Sequence, residues 1–305
     1  MSSIESQSVA MIGLGSMGLG MARSLLGAGH QVSGYDVTPA ALAALTEAGG
    51  RAGSSPADAA SGAHIVVVVV VNAAQTETVL FGPSGVVPVM APGSVVISCA
   101  TMAPDAARSL DKNCADQGVL YLDAPMSGGA ARAGTGELTF MASGSPAAFS
   151  AARPALDAMA GKVYELGDAA GIGASFKIVN QLLAGVHIAA ACEAITFASK
   201  LGLDIAKVYE VITASAGNSW MFENRVPHIL DGDYAPKSAV NIFTKDLGIV
   251  SDIGRAETFP LPIAASALQL FLMTAAAGMG RDDDSSPARM IAQITGIDLP
   301  PARDH

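Results

Sequence analysis

The residues best placed to do chemistry lie in the stretch GIGASFKIVNQLLAG, Gly171 to Gly185. A single lysine, Lys177, sits there inside an otherwise apolar, glycine-opened helical pattern, with no further charge until Glu193. At helical spacing Asn180 and Gln181, three and four residues on, share its face, so one ammonium and two carboxamides point the same way. A lysine partly withdrawn from water can take a proton from a carbinol oxygen, or return it, during hydride transfer. As an ammonium it stabilises negative charge developing on that oxygen. A lysine at the start of a helix also commonly snorkels to solvent, and the spacing alone leaves both roles open.

A second constellation is YLDAPMSGGAARAGTGELTF, which sets Ser127, Gly128 and Gly129 just beyond the carboxyl end of an expected strand. One hydroxyl and successive unhindered N–H groups make a concave anion receptor that suits a carboxylate; a plain Gly-Gly turn is the alternative. The third is MIGLGSMGLGMA, a GxGxxG loop of Gly13, Gly15 and Gly18 with Leu14, Ser16 and Met17 between them. It follows an apolar run and opens a helical one, which is the context in which such a loop binds a dinucleotide pyrophosphate on backbone amides. Asp36 ends the next strand, QVSGYD, about 20 residues on, where a carboxylate accepts the adenosine ribose hydroxyls and repels a 2′-phosphate. No arginine follows in YDVTPA, so NAD is expected over NADP. Asp36 could instead cap the next helix, a role that Thr38, before Pro39, could also take.

The elements that must carry these residues follow from pattern. VAMIGLG, QVSGYD, HIVVVVVV, SVVISCA, VLYLDAP, ELTFMASG and KVYELG read as strands alternating with alanine-rich helices, the signature of a doubly wound parallel α/β sheet of the Rossmann type. IVVVVVV, Ile65 to Val71, reads as a strand buried on both faces and is far short of the ~20 residues that span a bilayer. Beyond Gly167 the pattern is helical: one long apolar helix from Ala174 to Gly202, then segments near Ile205–Ala214, Ala239–Ala256, Pro262–Ala277 and Pro287–Thr295. The expected division is a dinucleotide-binding domain over 1–168 and an all-α domain for substrate and dimerisation over 169–305, joined by the long helix.

Composition narrows the function. The net charge of −10, with no Lys/Arg cluster, argues against nucleic acid, and 50% hydrophobic against 14% charged residues predicts extensive buried helix and a subunit interface. Cys99, Cys114 and Cys192 lack CxxC spacing, which fits a reducing compartment and excludes a cysteine zinc site. The start MSSIESQS lacks the order of a signal peptide, so a cytoplasmic protein is expected. His187 and His228 have no neighbouring metal-ligand pattern, no metal is expected, and RDDDSS, Arg281 to Ser286, reads as a solvated acidic loop. No nucleophile elbow is present, so covalent catalysis is not indicated.

Four separated motifs, GLGSMGLGMA, DAPMSGG, GIGASFKIVNQ and TKDLG, resemble the β-hydroxyacid dehydrogenase family over nearly the whole chain. The resemblance implies a Rossmann domain, a connecting helix and a helical domain that contributes to dimerisation, with a homodimer or homotetramer expected. It implies that Lys177 is the catalytic lysine and that Ser127, Gly128 and Gly129 hold the substrate carboxylate. It also implies that Lys245 lies near the cofactor, that Thr101 meets the nicotinamide end and that Asn72 lines the same region. Gln181 stands where the family often has asparagine. VNAAQTETVLFG and GNSWMFENR look closest to the branch that acts on L-threonate, and Trp220 and Phe222 are candidate pocket walls or core aromatics. The implied reaction is NAD-dependent oxidation of a small hydroxy acid, L-threonate first, with a 3-hydroxyisobutyrate or tartronate-semialdehyde type enzyme as the alternative. A non-catalytic NAD-binding sensor is the alternative of another class.

Overall fold

The computed structural model describes residues 6–300, so most of the polar start MSSIESQS and the last five residues lie outside the described residues. The chain falls into two compact units, Met1–Lys177 and Ile178–His305. In the first, β1 (Ser8–Ile12), β2 (Gln31–Tyr35), β3 (Arg51–Ala52), β4 (Ile65–Val68), β5 (Val95–Ser98) and β6 (Leu120–Asp123) form one six-stranded sheet. Its order is β3-β2-β1-β4-β5-β6 and every pairing is parallel. Side chains of successive residues go to opposite faces: Val9 and Met11 join one apolar core while Ala10 and Ile12 join the other, and Ile65 and Val67 part from Val66 and Val68 in the same way. Both faces are covered, which is why β4 is apolar at every position.

Parallel pairing places the carboxyl ends of all six strands on one edge, and the order reverses between β1 and β4, where such sheets open a crevice. The valine run is shorter as a strand than the sequence suggests. Pairing stops at Val68, Val69 N–H still donates to Ile12 O at 2.8 Å, and the chain then turns away, leaving Val71 exposed.

Two expected strands of the main sheet lie elsewhere. β7 (Met126–Ser127), β8 (Leu138–Ala142) and β9 (Ala160–Glu165) make a separate three-stranded sheet, with β7 antiparallel and β9 parallel to β8. The physical reason is the direction of the chain: β6 runs on through Ala124-Pro125 into β7, and this extension pairs antiparallel with β8, from Asp123 opposite Ser143 to Ser127 opposite Thr139, instead of β8 joining the parallel sheet.

The long helix, Ile172–Lys200, starts in the first unit and forms the core of the second through Ile178, Ile188, Cys192 and Ile195. Helices Ile205–Thr213, Val240–Ala256, Pro262–Thr274 and Pro287–Thr295 follow close to their expected limits. Helix Trp220–Asp231 has no counterpart in the sequence reading, because Pro227 in its interior looks like a break. The helix Pro262–Thr274 ends earlier than expected, in a π-turn over Ala275–Met279 that carries Gly278 at φ 90°.

Two helical stretches, Ile172–Lys200 and Pro262–Met279, are long and apolar enough to cross a membrane by length and composition; half of the most apolar window of the first is buried in the protein's own core. Cys99, Cys114 and Cys192 are free and buried, each in a different apolar cluster. Burial pushes the thiol of Cys114 up to about 12 and those of Cys99 and Cys192 higher still.

The turn after β1 sets a strict local requirement. Gly13 has φ 95°, and a Cβ there would lie 2.3 Å from Val69 O. Gly13→Ala is expected to cost about 1–3 kcal/mol and to lower the Tm measurably. Gly15→Ala is the control, since its Cβ would meet nothing within 4 Å; equal melting of the two variants would contradict this account.

Candidate active site

The loop after β1 gives its glycines three different tasks. Gly13 makes the turn and donates its N–H to Tyr35 O at 2.9 Å. Gly18 lets helix Ser16–Gly27 press onto the loop, since a Cβ there would lie 1.9 Å from Gly13 O. Gly15 is exposed, faces open space and sits at the N-cap position with no side-chain cap, so the first amides of the helix point outward unclosed. Leu14 is buried, Met17 packs on the core and Ser16 is exposed. These features fit a dinucleotide: a bare helix N-terminus, room for backbone contact and an open approach at Gly15.

Asp36 is half-buried just beyond β2 and accepts from Leu14 N–H at 2.7 Å and from Thr38 N–H at 2.8 Å. It therefore ties the glycine loop to the end of β2. Each carboxylate oxygen keeps a second lone pair, enough for a ribose hydroxyl. Thr38 does occupy the N-cap position of helix Pro39–Glu47, but its hydroxyl makes no cap bond. Asn72, beyond β4, uses Oδ1 to accept from Gln75 N–H at 2.9 Å and so caps helix Ala73–Phe81. Thr101 is half-buried beyond β5. Asp36, Asn72 and Thr101 thus all lie past carboxyl ends of parallel strands, on the edge that also bears the glycine loop.

Ser127 ends β7, and Gly128 and Gly129 follow with φ of 135° and 74°, conformations that side chains rarely adopt. The structure brings the lysine to this loop. Lys177, buried to 8% exposure, donates from Nζ to Met126 O at 2.8 Å, across 51 residues of sequence. The ammonium is anchored at the residue immediately before Ser127.

What holds that arrangement escaped the sequence reading. Asp123, 1% exposed at the end of β6, accepts on Oδ2 from Gly171 N–H at 2.9 Å and from Ala174 N–H at 2.8 Å. Ser143 Oγ–H donates to the same oxygen at 3.4 Å and itself accepts from Gly173 N–H at 2.9 Å. Burial pushes the Asp123 carboxyl up to about 6, against the pull of the Ala174 and Gly171 amides. The signal available in sequence was an aspartate at a strand end in DAP, overshadowed by the SGG beside it.

In the second unit, Asn180 Nδ2 donates to Gln181 Oε1 at 2.9 Å, and Gln181 Nε2 donates to Asp246 Oδ2. Asp246, 1% exposed, also pairs with Lys245 at 2.7 Å. Gln181 thereby spends both ends of its carboxamide on protein partners, while Asn180 is half-buried. Asp246 is a second aspartate the sequence reading passed over, although it lies inside TKDLG.

The acidic stretch is not a solvated loop. Asp283, Asp284, Ser285 and Ser286 are fully buried. Arg225 binds Asp284 through Nε and Nη2, and His228 Nδ1 meets Asp283 at 2.9 Å while Lys237 Nζ donates to its Nε2 at 3.0 Å. The counter-charges come from helix Trp220–Asp231, the element hidden by Pro227. Phe222 is core, stacked on Tyr209 with ring centroids 6.1 Å apart, and Trp220 is half exposed. Among the described residues no group of His, Cys, Asp or Glu could hold a metal ion.

Comparison with known proteins agrees with this geometry. The sequence profile of the NAD binding domain of 6-phosphogluconate dehydrogenase matches residues 8–167. That described as NAD-binding of NADP-dependent 3-hydroxyisobutyrate dehydrogenase matches residues 171–291. The chain is 54% identical to the L-threonate dehydrogenase of Cupriavidus necator, covering 97% of this chain and 98% of that protein. It is 34% identical to the 3-hydroxyisobutyrate dehydrogenase of Pseudomonas aeruginosa, over 88% and 92% of the two. A crystal structure from Salmonella typhimurium, titled 3-hydroxyisobutyrate dehydrogenase, superposes with a TM-score of 0.90 at 47% identity, over 93% of this chain and all of that one. With the parallel sheet, the uncapped glycine loop and the anchored lysine in place, the chain belongs to the β-hydroxyacid dehydrogenase family, NAD-dependent enzymes that act on small hydroxy acids.

Proposed function

We propose that the substrate is L-threonate, oxidised at the carbinol next to its carboxylate, and that Lys177 is the proton-transfer residue. The observation that carries this reading is the hydrogen bond from Lys177 Nζ to Met126 O, which sets the ammonium beside Ser127-Gly128-Gly129. NAD, when bound at the glycine loop and Asp36, supplies the hydride acceptor. The Ser127 hydroxyl and the Gly128 and Gly129 amides hold the carboxylate, so the adjacent carbinol comes within reach of Lys177, which in its amine form takes the hydroxyl proton on the Nζ lone pair and becomes the ammonium. Asn180, one turn further along the same helix, orients the substrate hydroxyls, and Gln181 fixes the direction of the Asn180 amide. Thr101, Asn72 and Lys245 are assigned to the cofactor on family resemblance.

L-threonate is preferred over 3-hydroxyisobutyrate because relatives named L-threonate dehydrogenase are 54% and 47% identical, against 34% for one named 3-hydroxyisobutyrate dehydrogenase. A cytoplasmic homodimer or homotetramer accompanies this reading. Phe176, Val179, Leu183 and Phe197 on the long helix, and Ile263 and Leu272 on helix Pro262–Thr274, are exposed apolar residues of the kind that a second copy covers. The division into 1–168 and 169–305 is part of this proposal, the first carrying the glycine loop and Asp36 and the second Lys177, Asn180 and Gln181.

Lys177→Ala is expected to lower kcat by about 10²–10⁴-fold with NAD affinity near wild type. A folded variant of near-normal kcat would remove the lysine from the mechanism. In coenzyme preference, kcat/KM with NAD should exceed that with NADP by at least about tenfold, because the Asp36 carboxylate, fixed by two backbone amides, meets the added phosphate. Asp36→Ser should narrow the gap, and an unchanged ratio would show that Asp36 does not read the ribose. Among L-threonate, D-erythronate, D-glycerate and 3-hydroxyisobutyrate assayed at equal concentration, L-threonate should lead 3-hydroxyisobutyrate by at least about tenfold in kcat/KM; the reverse order would overturn the substrate and leave the family untouched.

A further inference from the structure

We propose that Asp123, together with Ser143, is a positioning residue for proton transfer: carboxylate and hydroxyl clamp the first turn of the long helix so that Lys177 meets the substrate loop rather than solvent. The inference rests on the reading of Lys177 as the proton-transfer residue and adds to it the device that aims that residue.

The geometry is a closed ring. The segment Asp123 to Met126 holds a single helical turn, Ala174 to Lys177, at both ends. Asp123 Oδ2 takes the amides of Gly171 and Ala174, and Met126 O takes the ammonium of Lys177. Ser143 closes the remaining side by accepting the Gly173 amide while donating to Asp123. Three amides at the start of the helix, which would otherwise lack partners, are thereby assigned to two side chains with 1% and 0% exposure. The same two residues exchange backbone bonds, Asp123 N–H to Ser143 O at 3.0 Å and Ser143 N–H to Asp123 O at 2.8 Å, so the clamp is seated where the main sheet meets the small one.

An independent observation points the same way. Gly173, in the first turn, is pressed so closely on the strands that a Cβ would lie 2.3 Å from Met141 O and 2.9 Å from Asp123 O. The helix start is in direct backbone contact with the strands at this point. A cap that served stability alone needs only an exposed serine or aspartate; a buried carboxylate brings a desolvation cost and is held only where its bonds are met. Placing that charge one turn before Lys177, and three residues before the lysine's own acceptor, fixes the ammonium on the scale of an ångström, and misplacement by that amount costs about 10²-fold in rate.

The test is a set of variants read by steady-state kinetics with NAD and L-threonate, or whichever acid of the panel turns over best. Asp123→Ala should lower kcat by about 10²-fold while KM for NAD stays within about twofold, and Asp123→Asn, which keeps an acceptor of weaker strength, should recover most of that loss. Ser143→Ala, a milder cut that folds if Asp123→Ala does not, should lower kcat several-fold with the same unchanged KM. In a Lys177→Ala background, measured at high enzyme concentration, Asp123→Ala and Ser143→Ala should add no further loss, because nothing remains to be aimed. Wild-type kcat in Asp123→Ala, or in Ser143→Ala should Asp123→Ala not fold, with Lys177→Ala inactive, would overturn the clamp and leave the lysine standing. Equal losses with and without Lys177 would also overturn it, since Asp123 would then act on stability or on another group. A fully active Lys177→Ala enzyme would sink the lysine reading and the clamp with it.

Discussion

Every helix begins with amide N–H groups that have no partner inside the helix, and how this chain disposes of them governs the site. Helix Ser16–Gly27 leaves them bare: Gly15 offers no side chain, and the space beyond it is open. The helix Ile172–Lys200 closes them with a buried carboxylate and a buried hydroxyl. The first solution leaves an electropositive opening suited to an anionic ligand, and the second ties the start of the helix that carries Lys177 to the strands. Both depend on glycine, at Gly13 and Gly18 so that the loop can fold under its helix and at Gly173 so that the helix start can touch the strands.

Much of this architecture is legible in the sequence because burial on both faces leaves little choice of residue. Ile65–Val68 and Val95–Ser98 are strands whose composition could hardly mean anything else. The pattern is less informative where one element changes role partway. The valine run continues past Val68 with no change in composition, yet Val71 is exposed, because the last valines line a turn rather than a sheet. ELTFMASG and KVYELG have the alternation of strands but not the address: whether they join the main sheet depends on pairing with the extension of β6 past Asp123, which periodicity does not record. Pro227 hides a helix because a proline's cost depends on whether the local backbone can bend around it, which is a matter of packing.

The site shows the same division. Lys177 stands out because a lone charge on an apolar face is conspicuous, and the SGG loop because successive glycines are. Asp123 and Asp246 do the holding and are inconspicuous, each being an ordinary acid next to a louder motif. Their partners are amides and carboxamides 48 to 65 residues away, and no local spacing announces such a bond. The buried Asp283 and Asp284 are the sharpest case. Three consecutive aspartates read as a wet loop until Arg225 and His228 are known to face them, and both lie on the helix that Pro227 conceals.

The three cysteines have a use that their chemistry alone would not suggest. Cys99 lies in the cluster on one side of the sheet, Cys114 in the cluster on the other, and Cys192 in the helical core. Their thiols are kept protonated and out of reach, so alkylation at neutral pH requires the surrounding cluster to open first. Each core therefore carries its own built-in reporter: the rate at which a given cysteine is labelled measures how often that part of the native protein opens, with no probe introduced and no residue replaced.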